Sequence, residues 1–302
     1  MKKHVCLTIL SVVCLGNIFS ACAYNTKEYE DEPNNYKTAQ LEPTSTLTLD
    51  ECEEEGNRAD YYKDLDSILD GFALGSYKCV YVGERAVVWV VKTETPEKYV
   101  VEGEKIEEAI PKIELYINTL LSNNYDGSEK VYFFYGGTSV AFTPGSSYAK
   151  PVIFMPLSSD PYSFHNYVHE LTHLLTPQHS DWVSEGLAVY LNDKWGGEGG
   201  FPNYGADIDQ LALSYLNRTD ILENVGDETY YPSRSELMTS IGQGWYVLSG
   251  SFVKYMIEKI GIESFMQIYY APDIQAGLEK MTKKTLQEWK TEWLSYLLSM
   301  KK

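Results

Sequence analysis

The chain has 302 residues, 44% of them hydrophobic, which is enough for one large domain or two lobes around a cleft. Its 43 acidic residues against 25 Lys and Arg leave a formal net charge of −18, which repels phosphate backbones and excludes nucleic acid as a partner. None of the five cysteines has metal-type spacing, so any metal site must come from other residues.

Met1–Ala21 sets Lys2 and Lys3 before an apolar run from Val5 to Phe19 and ends in Phe19-Ser20-Ala21, the order of a secretory signal (residues 1–21). Cys22 follows directly and resembles the acylated cysteine of a bacterial lipobox. Lipid on Cys22 is then expected to anchor the chain to a bilayer in the cell envelope, on the extracytoplasmic side. A plainly cleaved leader with Cys22 incidental is the alternative. Residues 22–56 are poor in apolar side chains and rich in Glu, Asp, Asn, Thr and Pro, and read as an acidic disordered tether. Cys52 and Cys79 are the remaining pair. They form either a disulfide tying tether to domain or two free thiols.

Globular composition begins at about residue 57. The pattern predicts a helix over 60–70, a hairpin with arms Tyr77–Val82 and Ala86–Lys92, and a helix from Glu102 to Leu121 that Pro111 should kink or split. Strands follow at Val131–Tyr135 and Lys150–Met155. These elements make an α/β N-terminal lobe of residues 57–160. Helical periodicity dominates 161–302, with further helices expected at Ala206–Leu216, Gly244–Ile260, Ile262–Tyr270 and Thr285–Met300. Thr285-Leu-Gln-Glu288 reads as a capping box. The glycine-rich Trp195–Pro202 segment is a connector or a cleft lid. The predicted class is α+β: a small mixed α/β lobe followed by a mostly helical lobe.

At the start of the helical lobe stands His165-Asn-Tyr-Val-His169-Glu170-Leu-Thr-His173. His169 and His173 are four apart, so a helix projects both imidazoles from one face, where one Zn²⁺ can take a nitrogen from each. Glu170 can reach a water beside the metal without being a ligand itself, as a general base does. The apolar neighbours Tyr167, Val168, Leu171, Leu174 and Leu175 bury this helix, and buried His and Glu need partners. His165, one turn earlier, lines the cleft or packs as a neutral core histidine. For the third ligand, Glu185 competes with His179. The His179 geometry needs a sharp turn at Thr176, where a β-branched residue is disfavoured at positive φ, so Glu185 is preferred.

His169–His173 followed by Trp182-x-x-Glu185-Gly-x-Ala-x-Tyr190 resembles the gluzincin zinc metallopeptidases, most of all the compact peptidase MA-like domains. The resemblance implies a thermolysin-like catalytic lobe, one Zn²⁺ held by His169, His173 and Glu185, and Glu170 as base. It extends to Tyr246-Val-Leu-Ser-Gly250, where Tyr246 matches the tyrosine that stabilises the tetrahedral intermediate in the aminopeptidase-N branch, although Leu248 replaces the usual lysine. No Gly-x-Met-Glu-Asn motif for a substrate amine is present. The resemblance also implies that the strand before the metal helix, here Val152–Met155, forms the cleft edge on which substrate pairs.

The expected function is therefore a membrane-anchored, monomeric zinc peptidase acting on peptides or proteins. A non-catalytic lipoprotein that binds peptides or proteins in a peptidase-like cleft is the second reading. An enzyme whose tether covers its own cleft is the third.

Overall fold

The computed structural model describes residues 52, 54, 65, 73–117, 129–138, 141–144, 151–157, 166–178, 180–196, 200–237 and 239–301. The leader, Cys22, most of the tether, His165, His179 and all of the predicted 60–70 helix except Leu65 lie outside them. Thr44–Lys302 forms one compact unit. The fold is α+β, as the pattern predicts, and no described helix is long and apolar enough to cross a membrane.

Four strands make one mixed sheet in sequential order: β1 (Tyr77–Val82), β2 (Ala86–Val91), β3 (Val131–Tyr135) and β4 (Val152–Met155). The hairpin pairs β1 and β2 antiparallel, while β2–β3 and β3–β4 run parallel. Parallel strands are buried on both faces, which explains the unbroken apolar runs of β3 and β4. Side chains alternate accordingly. Val88, Val90, Phe133, Tyr135, Ile153 and Met155 join the main core, and Val87, Trp89, Tyr132, Phe134, Val152 and Phe154 join a second cluster on the opposite face. Cys52 is disulfide-bonded to Cys79 of β1, with Cα atoms 5.5 Å apart, so the tether's expected end is stapled to the sheet.

Helix α1 (Glu97–Ile117) packs Ile106, Ile110 and Ile113 on the main-core face. Of the two expected effects of Pro111, the split does not occur: one helix runs through the proline. Pro111 is exposed, so its ring and the backbone hydrogen bond it forfeits lie on the solvent side of the helix. Glu107, one turn earlier, holds the hairpin by accepting from the backbone N–H groups of Arg85 (2.7 Å) and Ala86 (2.9 Å).

The rest is helical: α2 (Tyr167–Leu175), α3 (Asp181–Trp195), α4 (Ile208–Tyr215), α5 (Thr219–Leu222), α6 (Arg234–Leu237), α7 (Ser240–Ile260), α8 (Ile262–Tyr269), α9 (Ile274–Thr282) and α10 (Leu286–Ser299). Three of these, α5, α6 and α9, are not among the expected helices. The four-residue α5 and α6 are too short to show a period. Helix α9 did carry a signal, since Asp273 caps it by accepting from Ala276 N–H at 2.8 Å. The capping box of α10 forms as read, with Thr285 and Glu288 satisfying each other's backbone N–H groups.

The main core runs without a break from the sheet to α10, so the boundary expected near residue 160 marks a change of secondary structure within one unit. Deep in the helical part, Asp209 of α4 accepts from Ser251 (2.6 Å) and Tyr296 (3.1 Å) and pairs with Lys254 (2.8 Å), tying α4, α7 and α10 together.

Candidate metal centre

Helix α2 is short and almost wholly buried. Its last turn is pinned from outside: Tyr269 of α8 donates to the Thr176 carbonyl at 2.6 Å, and Thr176 donates back to the Thr172 carbonyl at 2.6 Å. Thr176 has φ −132°, so the left-handed turn needed to swing the chain back over the helix is not made there. Instead the chain continues into α3, and the two helices pack side by side.

That packing brings three donors together. His169 Nε2 and His173 Nε2 lie 3.0 Å apart, and Glu185 Oε2 of α3 is 3.1 Å from the first and 3.3 Å from the second. Three corners of a tetrahedron with bonds of about 2.0–2.1 Å lie about 3.3 Å apart, so these separations suit one small cation. A second observation agrees with this fit. Glu185 Oε2 is buried, and its close polar neighbours are the two Nε2 atoms, at distances that suit shared coordination and with no well-aligned hydrogen bond. A buried carboxylate oxygen in that setting is suited to ligate a cation. The group can hold a metal ion.

Electrostatics point the same way. Burial pushes the Glu185 carboxyl up, but the facing His173 and His169 more than reverse this and hold it well below the usual carboxylate range. Burial works to lower the His173 pKa, yet Glu185, then Glu170 and Asp181, push it up to about 9. The pocket therefore favours a positive charge, which a proton or a metal ion can supply. Behind the ligands, His173 Nδ1 lies 3.1 Å from Ser184 Oγ, one residue before Glu185, which orients the ring.

Glu170 is buried, and burial raises its pKa while His169 and His173 oppose the rise. Its carboxylate accepts from Thr143 Oγ at 3.0 Å, and the same hydroxyl sits 3.0 Å from Glu170's own carbonyl oxygen. Thr143 was not legible as a site residue. It follows Phe142, which makes an antiparallel bridge to Phe154 of β4 with both backbone hydrogen bonds at 3.0 Å. The strand expected to offer its edge to substrate is thus last in the sheet, but at Phe154 its edge is covered by the segment that holds Glu170.

Tyr246 is buried on α7, its ring centroid 6.2 Å from that of His169, so the expected oxyanion donor does stand beside the candidate ligands. Burial and the charge on Glu185 raise its pKa well above the ordinary value, keeping the hydroxyl protonated. A second tyrosine, Tyr231, lies 2.8 Å away hydroxyl to hydroxyl. Nothing in the sequence marks Tyr231, fifteen positions upstream in a loop. Phe201, at the far end of the glycine-rich segment, packs edge-on against Tyr246 at 5.3 Å.

No family model matches this sequence. No curated protein matches it either.

Proposed function

We propose that this chain is a zinc-dependent peptidase of the gluzincin type, anchored through Cys22 to the extracytoplasmic face of a membrane. The observation that carries the reading is the convergence of His169, His173 and Glu185 within 3.3 Å of one another, on the same helix pair as a buried glutamate. Two imidazoles and one carboxylate are the donor set of catalytic zinc sites, and Glu170 is the added element that a purely structural site does not require. When bound, zinc supplies Lewis acidity and lowers the pKa of water toward ~7.

The chain's own residues do the remaining work. Glu170, its Oε2 fixed by Thr143, takes the proton from the attacking water and returns it to the departing amine nitrogen. Tyr246, held protonated, donates to the oxygen of the former carbonyl as negative charge builds there. His173 and Ser184 keep the donor set in register. The acidic surface favours solubility and disfavours nucleic acid, and a monomer suffices because every group named comes from one chain.

The test is metal analysis of the chain followed by digestion of a peptide library with and without chelator, with Glu170→Gln as control. One equivalent of zinc, chelator-sensitive cleavage and loss of cleavage in the zinc-loaded control are expected. Zinc without cleavage would replace the peptidase by the peptide-binding reading.

A further inference from the structure

Tyr231 belongs to the segment between α5 and α6, far from any motif. Its hydroxyl lies 2.8 Å from that of Tyr246, and its ring meets Trp245 edge-on at 5.5 Å. The same indole meets the Tyr246 ring at 5.4 Å, so one fully buried tryptophan braces both phenols. The segment is also ordered from within. Asp227 accepts from the backbone N–H of Thr229 at 2.8 Å, and Glu236 accepts from the backbone N–H of Ser233 at 2.9 Å. The two tyrosines differ in access, Tyr246 being 8% and Tyr231 40% exposed.

A pair of hydroxyls at this distance holds two protons. One is spent between the oxygens and the other is left to donate outward. Where the buried member faces the metal ligands, the outer one can settle which proton remains. We infer that Tyr231 is a positioning residue: it donates to the Tyr246 oxygen, so that the Tyr246 proton is left aimed at an anionic, tetrahedral oxygen centre bound beside His169. This rests on the peptidase reading for its biological meaning, though not for its geometry. A donor that itself accepts a hydrogen bond is polarised and strengthened, and a pre-aimed donor needs no reorganisation as charge appears. Burial first, and then the carboxylates of Glu185, Asp181 and Glu170, raise the Tyr231 pKa and keep its hydroxyl protonated.

The test uses the zinc-loaded chain and two probes. A phosphinic pseudopeptide presents a tetrahedral anion, whereas acetohydroxamate chelates the metal without one. Tyr231→Phe removes only the hydroxyl and keeps the ring on Trp245. It should weaken the phosphinic pseudopeptide roughly tenfold, the scale of one hydrogen bond to a charged group. Zinc stoichiometry and acetohydroxamate affinity should stay as in the parent. In a Tyr246→Phe background the same change should cost nothing further, because Tyr231 acts only through Tyr246. Unchanged pseudopeptide affinity in Tyr231→Phe, an equal loss in both backgrounds, lost zinc, or a parent chain that does not bind the pseudopeptide would each overturn the inference. Calorimetric binding needs no turnover. If the parent binds the pseudopeptide but cleaves nothing, the peptidase reading falls and the tyrosine pair stands.

Discussion

A methyl group added to Gly186 of α3 would lie 2.8 Å from the Ser249 carbonyl oxygen of α7 and 2.5 Å from a Val253 methyl. The reciprocal approach is as tight, since a Cβ on Gly250 would meet Val189 at 2.5 Å. Two glycines thus let α3 and α7 touch backbone to side chain. This crossing sets Glu185, next to Gly186, against Tyr246, one turn before Gly250. Trp182 and Phe252 stack at 5.8 Å to complete the seam.

Gly186→Ala is therefore expected to force the helices apart at the metal centre. Overpacking of this kind costs about 1–3 kcal/mol. The thermal midpoint should fall by several degrees, and zinc should bind more weakly by calorimetric titration because Glu185 moves with α3. Unchanged zinc affinity would show that the crossing does not set the ligand geometry.

Thr143→Val should leave zinc in place and lower cleavage roughly ten- to a hundredfold, the scale of a lost hydrogen bond to a charged group. Thr143→Ser restores the hydroxyl and should recover most of the rate. Equal activity in all three chains would remove Thr143 from the machinery.

In the metal-free chain the His173 pKa stands near 9, above its ordinary 6.5. A raised histidine stabilises the fold when protonated. That stabilisation is complete below about pH 6.5 and is lost as pH rises toward 9. Metal binding needs the deprotonated ring, so zinc affinity should rise over the same interval. Melting curves with and without zinc across pH 6–9 should diverge, the metal-free chain losing stability while zinc binds more tightly. Parallel curves would contradict the site.

Glu102, on the inner face of α1, is 1% exposed, and its nearest cation, Lys105 Nζ, is 3.7 Å away. Burial outweighs that partner and pushes its pKa up to about 7. The folded chain then binds more protons here than the unfolded one between about pH 4.5 and 7. The group therefore costs stability as pH rises through that window, by at most about 3 kcal/mol. Glu102→Gln should melt higher than the parent at pH 8 and about equally at pH 4.5. Equal midpoints at pH 8 would show that Glu102 is ionised without penalty.

Much of the fold was legible because it rests on short-range periodicity. The β1–β2 hairpin, the apolar strands β3 and β4, and the long helices α7 and α10 were each legible from alternation or helical spacing. That α1 runs unsplit through Pro111 was not decidable locally, since the sequence shows the missing N–H but not which side of α1 faces solvent.

For the site, the amino-acid sequence by itself determined which residues share a helix face: His169 and His173 project together because a helix repeats every 3.6 residues, and Glu170 follows the first of them. It also carried the preference for Glu185, through the poor fit of Thr176 to a left-handed turn. Only the tertiary structure decided the approach of Glu185 to 3.1 and 3.3 Å from the two imidazoles, the hydroxyl of Thr143 on Glu170 and the pairing of Tyr231 with Tyr246. Those contacts join residues far apart in the chain or on separate elements, and their distances follow from how closely α2, α3 and α7 pack, which no local period records.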